Sequence, residues 1–151
     1  KFVEYAEVHG KYYGTSFAAV ESVQKSGKVC ILDIDVQGVK NVKKSTLNAY
    51  YIFVSPPNME VLETRLRKRG TESEEAIRTR LENAQAELAY GKETGNFDLF
   101  LINDTLESAL EKLSVAIQQW YPHLKVTATV ADAMNKSTPR VCKPSEVCEI
   151  L

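Results

Sequence analysis

The chain has 151 residues, 44% hydrophobic and 26% charged, with a formal net charge of -1, which is ordinary for a soluble globular domain able to bury a core. That charge offers no basic face for nucleic acid, and no apolar run approaches the roughly 20 residues that span a bilayer. The three cysteines, Cys30, Cys142 and Cys148, are too sparse for a disulfide framework and lack zinc-spaced partners, so a reducing, cytoplasmic setting is expected.

Residues 1–15 place Phe2, Tyr5, Tyr12 and Tyr13 around Gly10 and Gly14, which suits short strands and turns. Ser16 is placed to cap a helix through about Lys25, with Phe17, Val20 and Val23 inward and Gly27 as its stop. Val29–Asp35 follows as a strand, apolar on both faces as in a covered parallel sheet. A short helix around Val39–Lys43 leads to a second strand, Tyr50–Val54, ended by Pro56-Pro57. Asn58 caps a helix from Met59 to Lys68, with Met59, Leu62 and Leu66 on one face. Thr71 and Glu74 have capping-box spacing, and Ile77, Leu81, Ala84 and Leu88 stripe the helix after them. A third strand, Leu99–Ile102, precedes Asn103-Asp104. The last helix, about Thr105–Tyr121, buries Leu106, Leu110, Leu113 and Ile117 before Pro122. This alternation is the rhythm of an α/β protein with a parallel sheet. Residues 122–151 are polar, carry Pro139 and Pro144, and are expected to form a flexible tail.

Three groups of residues could carry chemistry. Asp33 and Asp35 end an apolar run, where ligands gather outside the carboxyl ends of parallel strands. Such an acid can hold magnesium, directly or through water, or accept hydrogen bonds from a base or ribose. It can equally just cap the next turn. Arg65 and Arg69 share a helix face, and Arg80 lies beyond a Gly70-Thr71 break. Guanidinium forks match phosphate oxygens, and two hinged helices could close as a lid. The competing reading is a solvated basic face paired with Glu63, Glu72, Glu74 or Glu75. Glu4 could accept hydrogens from a guanine edge, Tyr13 could reach a phosphate oxygen, and Thr15 could serve either; on their own they read as surface strand residues.

Several motifs occur together in order: Phe2-Val3-Glu4-Tyr5, Gly10-Lys11-Tyr12-Tyr13-Gly14-Thr15-Ser16, Ile31-Leu32-Asp33-Ile34-Asp35-Val36-Gln37-Gly38-Val39, Arg65-Leu66-Arg67-Lys68-Arg69-Gly70-Thr71-Glu72, Arg80-Leu81, Ala84-Gln85-Ala86-Glu87 and Ile102-Asn103-Asp104. Over about residues 1–121 the chain resembles guanylate kinase. The resemblance implies a P-loop-kinase-type parallel sheet flanked by helices. Residues 1–26 would be part of a small β-rich GMP-binding subdomain, 27–64 and 93–121 the core, and 65–92 the lid. It implies phosphoryl transfer from MgATP to GMP or dGMP, giving ADP and GDP, by a monomer with Mg2+ carried alongside ATP. Glu4 would read guanine, with Thr15 and Asp33 helping at the base, and Tyr13 would hold the GMP phosphate. Asp35 would stand near nucleotide and magnesium. Arg69 and Arg80 would be the catalytic arginines, with Arg65 facing the ATP phosphates. Asn103 and Asp104 would lie beside adenine.

The sequence departs from the family in one large respect: it contains no Gly-x-x-x-x-Gly-Lys-Ser/Thr loop. With Lys1 in place of Met, the expectation is a fragment without the first strand and phosphate loop, inactive or weakly active by itself. A second reading is a guanylate-kinase-like module of a scaffold protein, which binds partners without catalysis. A third is an adenylate or other monophosphate kinase. Cys148-Glu149-Ile150-Leu151 fits a geranylgeranylation box, with Lys136, Arg140 and Lys143 as a weak basic flank.

Overall fold

The structure, a computed structural model, describes residues 2–8, 11–70 and 73–123. These divide into two compact units, one ending at Ala49 and the other beginning at Tyr50.

In the first unit, β1 (Phe2–Val8) and β2 (Lys11–Ser16) form an antiparallel pair in which Glu4 lies opposite Thr15 and Ala6 opposite Tyr13. The register shifts between Phe2 and Glu4, and Val3, the residue in the bulge, is buried. The chain passes from β2 straight into α1 (Phe17–Lys25). Ser16 makes that switch possible: its Oγ accepts the Ala19 N–H at 3.1 Å, satisfying a first-turn donor. Val20, only 4% exposed, faces inward, with Phe17 and Val23 half-buried beside it. The stop is Gly27, at a φ of 75°, a conformation that side chains with a Cβ disfavour.

The expected strand at Val29–Asp35 is absent. Residues 28–35 belong to no ladder among the described residues, and Ile31 is 42% exposed. An apolar, β-branched run favours extended backbone, but a strand also needs a neighbour to accept its hydrogen bonds, and within this unit the ladder joins β1 to β2 alone. The next helix, α2 (Val36–Lys43), begins three residues before the expected Val39. Asp35 sets that start: its Oδ1 accepts the Gly38 N–H at 2.7 Å. Gly38, Val39 and Val42 are its buried residues.

The second unit carries the parallel pair. β3 (Ile52–Ser55) lies beside β4 (Leu99–Ile102), with Ile52 opposite Leu99 and Ser55 opposite Ile102. Between them run α3 (Met59–Arg69) and α4 (Glu74–Lys92), packed on each other, and α5 (Leu106–Trp120) packs on β4. The second strand therefore sits later than the expected Tyr50–Val54. Tyr51 is occupied otherwise: its N–H donates to Asp98 Oδ2 at 2.7 Å, and its carbonyl accepts from Asp98 N at 2.8 Å and Leu99 N at 3.2 Å. Asn58 caps α3 by accepting the Val61 N–H at 2.8 Å, and Gly70 ends it at a φ of 66°. For α4 the cap is Ser73, accepting the Ala76 N–H at 3.2 Å, so Glu74 opens the helix instead of closing a capping box. Thr71, the expected cap, lies outside the described residues.

The stripe on α4 is as read, with Ile77 buried and Leu81, Ala84 and Leu88 half-buried. On α5 the expectation needs correcting. Its buried residues are Ala109 and Ala116, Leu110, Leu113 and Ile117 are half-buried, and Leu106 is 48% exposed. Small side chains mark the line of closest approach between a helix and its support, and the larger ones flank it. Phe53 on β3 stacks on Phe100 of β4, with centroids 5.3 Å apart, and meets Phe97 edge-on at 5.1 Å.

Candidate active site

The candidate residues fall into two groups, one in each unit. In the first unit the backbone register sets Glu4 opposite Thr15. The side chains of Glu4 and Tyr13 lie outside the described ones. Asp33 is exposed in the unpaired run, and Asp35, two residues on, is the N-cap of α2. Capping occupies one oxygen of Asp35 and leaves the other on an exposed carboxylate.

In the second unit, the end of the parallel pair is where residues converge. A cleft of about 330 Å³ opens there, lined by Val54, Ser55 and Pro56 from the end of β3, Arg65 and Arg69 from α3, and Asn103 after β4. Arg65 Nη1 donates to the Asn103 carbonyl at 2.8 Å, and Nη2 to the Asp104 carbonyl at 3.0 Å. Asn103 is also held by its own N–H, which donates to the Ser55 carbonyl at 2.8 Å. Arg69, the last residue of α3, is exposed and makes no ion pair among the described residues. Arg80 is exposed on α4 and is not among the residues lining this cleft.

Two of the four acids named for a solvated face, Glu63 and Glu74, belong to a different arginine, and Glu72 lies outside the described residues. Arg67 donates from Nε to Glu63 at 2.9 Å and from Nη1 to Glu74, spanning α3 and α4. The hydrogen bond from Arg67, then its charge, pulls the Glu74 carboxyl below the usual carboxylate range; the same bonds raise the Arg67 guanidinium further. On α3, Arg67 is thus the arginine that pairs with acids, while Arg65 and Arg69 line the cleft. Sequence reading passed over Ser55, which is 3% exposed at the cleft edge and donates from Oγ to the Pro56 carbonyl at 2.8 Å. Its signal was a hydroxyl closing an apolar strand just before Pro56-Pro57.

No group of three or more His, Cys, Asp or Glu side chains able to hold a metal occurs among the described residues. No described helix is long and apolar enough to cross a membrane. Cys30 is half-buried, and that burial pushes its thiol up, away from the reactive thiolate.

Parallel strands flanked by helices, with a cleft and two arginines at their carboxyl end, give the second unit an α/β architecture. The crystal structure of guanylate kinase from Anaplasma phagocytophilum has a similar fold, with a TM-score of 0.58 and 24% identity, over 88% of this chain and 62% of that one. The family model described as guanylate kinase matches residues 1–120. The chain is 58% identical over 113 residues to guanylate kinase 1 of Arabidopsis thaliana, covering 75% of this chain and 29% of that protein. It is 50% identical over 118 residues to the guanylate kinase of Sus scrofa, covering 78% of this chain and 60% of that protein. The chain belongs to the guanylate kinase family. The matched stretch spans 29% to 60% of the length of these two relatives.

Proposed function

We propose that the chain carries much of an ATP:GMP phosphotransferase, transferring the terminal phosphoryl group of MgATP to GMP or dGMP and releasing ADP and GDP. The observation that carries this reading is the cleft at the carboxyl end of β3 and β4, where Arg65 and Arg69 meet Asn103. Arg69 and Arg80 would neutralise the charge that spreads over the transferring oxygens, and Arg65 stands on the ATP side with Asn103 and Asp104. Glu4, Thr15 and Asp33 would read guanine, and Tyr13 would hold the acceptor phosphate. Transfer runs in line between the two phosphates, so positioning and charge neutralisation supply the catalysis and no covalent enzyme intermediate is needed.

Magnesium arriving with ATP would supply positive charge beside the phosphates. Asp35 would hold it through water, with the carboxylate oxygen that the cap on Gly38 leaves open. The protein would work as a cytoplasmic monomer. A prenyl anchor at Cys148 is a separate possibility, to be read from the mass of the carboxyl-terminal peptide after eukaryotic expression.

The test is titration of GMP into the chain, followed by measurement of ADP release from MgATP with and without GMP. Saturable GMP binding that Glu4→Ala abolishes is the expected result, with little ADP release from the chain alone and GMP-dependent release once it is joined to the amino-terminal segment of a guanylate kinase. Binding of GMP with no dependence on Glu4 would overturn the guanine-reading assignment. A folded chain, so completed, that still binds neither nucleotide would favour the scaffold reading.

A further inference from the structure

We infer that Arg65 is a positioning residue: its guanidinium fixes the backbone of Asn103 and Asp104, and so shapes the adenine side of the ATP site, instead of meeting phosphate. This rests on the reading above, which sets those two residues beside adenine. Arg65 spends two donors on two successive carbonyls, at 2.8 and 3.0 Å, across 38 and 39 residues of sequence. The rigid fork reaches the two carbonyls from two separate nitrogens, whereas a lysine offers a single nitrogen on a flexible stem. The segment is fixed from three directions. The Asn103 N–H donates to the Ser55 carbonyl on β3, the two carbonyls are held from α3, and Thr105 begins α5 by accepting the Ser108 N–H at 3.3 Å. Asn103 thus enters the cleft on a backbone secured at both its N–H and its C=O.

Arg69 lies four residues further along the same helix and lines the same cleft with no ion pair among the described residues. One helix therefore divides two tasks between arginines one turn apart. Arg65 holds the shelf on which the base rests, and Arg69 keeps its charge available for phosphate. A hinge that lets α4 move would have to lie after Arg65, since Arg65 is tied to the segment after β4.

The test compares the wild-type chain with Arg65→Ala and Arg65→Lys, using adenosine, ADP and GMP as probes. Binding is followed by ligand-observed NMR, and exchange of the 103–105 amides by hydrogen–deuterium exchange. The expected result is a loss of about five- to tenfold for adenosine and ADP alike in Arg65→Ala. The 103–105 amides exchange faster and GMP binding is unchanged. Arg65→Lys, which keeps the charge and loses the fork, behaves like the alanine variant; it also decides the matter should Arg65→Ala not fold. A loss for ADP with adenosine unchanged, or rescue of both by lysine, overturns the role and returns Arg65 to the phosphates. Failure of the wild type to bind adenosine and ADP overturns the nucleotide assignment, and this role with it.

Discussion

The ring of Phe53 closes over Gly91: a Cβ placed at residue 91 would stand 2.8 Å from the ring's Cδ2 and Cε2. Helix α4 approaches β3 at that point by having no side chain there, and Gly91 is buried in consequence. Gly91→Ala should therefore destabilise the second unit although alanine favours helices, since overpacking costs about 1–3 kcal/mol and exceeds the propensity gain of about 1 kcal/mol. Phe53→Leu should partly suppress the defect, because a flexible side chain can give way where a ring cannot. A double-mutant cycle in urea measures the coupling, and additive effects would refute the contact.

Trp120 stacks face to face on Tyr50, with centroids 4.5 Å apart and planes 5° from parallel, and Tyr121 meets Tyr50 edge-on at 5.7 Å. Trp120 is the only tryptophan in the sequence, so its fluorescence reports this cluster alone. Tyr50→Ala should shift the emission to longer wavelength and cost about 0.5–1.5 kcal/mol for the aromatic pair. An unshifted emission maximum would mean that Tyr50 does not cover the indole.

Local signals account for what the sequence revealed and non-local ones for what it hid. Ser16 and Asn58 were legible as caps because a cap bonds to a backbone N–H three residues away. The run at Val29–Asp35 was misjudged as a strand because pairing depends on a partner that its own residues do not specify. On α5 the leucines drew attention, whereas the line of closest packing runs through Ala109 and Ala116. Arg65 and Arg69 stood out by their spacing and by family resemblance. That Arg67, and neither of these, would take Glu63 and Glu74 depended on how α4 returns after Gly70, which spacing alone does not fix.

Asp35 has two separable duties. Its cap on Gly38 needs an acceptor oxygen, while a contact with magnesium-bound water needs a charge. Asp35→Asn should keep the thermal midpoint near wild type and lower phosphoryl transfer by the chain joined to the amino-terminal segment of a guanylate kinase. Asp35→Ala should lower both, with about 1 kcal/mol lost from the cap. Equal stability of the two variants in denaturant unfolding would refute the capping role.

The Arg67 network gives the α3–α4 pair a pH dependence of definite sign. Because Arg67 holds the Glu74 carboxyl below the usual carboxylate range, the pair's contribution is full above that range and is lost as pH falls through the depressed folded value. The site is exposed, so salt should weaken it too. An NMR titration of the Glu74 carboxyl should show its midpoint rising toward the ordinary value in Arg67→Ala. A midpoint that Arg67→Ala leaves unmoved would refute the pairing.

Arg69 and Arg67 sit two residues apart on α3 and should answer to opposite assays. Arg69 is exposed, has no ion pair among the described residues, and lines the cleft. Removing an exposed, unpaired cation takes little from the folded state, so Arg69→Ala should stay within about 0.5 kcal/mol of wild type. Its cost should fall on transfer, by about a hundredfold or more in kcat when the chain is joined to the amino-terminal segment of a guanylate kinase, as for other groups that stabilise developing charge. Arg67→Ala, which breaks the bridge between helices, should loosen α3 against α4 and leave more of the chemistry intact. Denaturant unfolding read beside kcat separates the two. Should Arg69→Ala lose stability and keep its rate, the open arginine would be structural and the charge-neutralising role would pass to another residue, with Arg80 the first to examine.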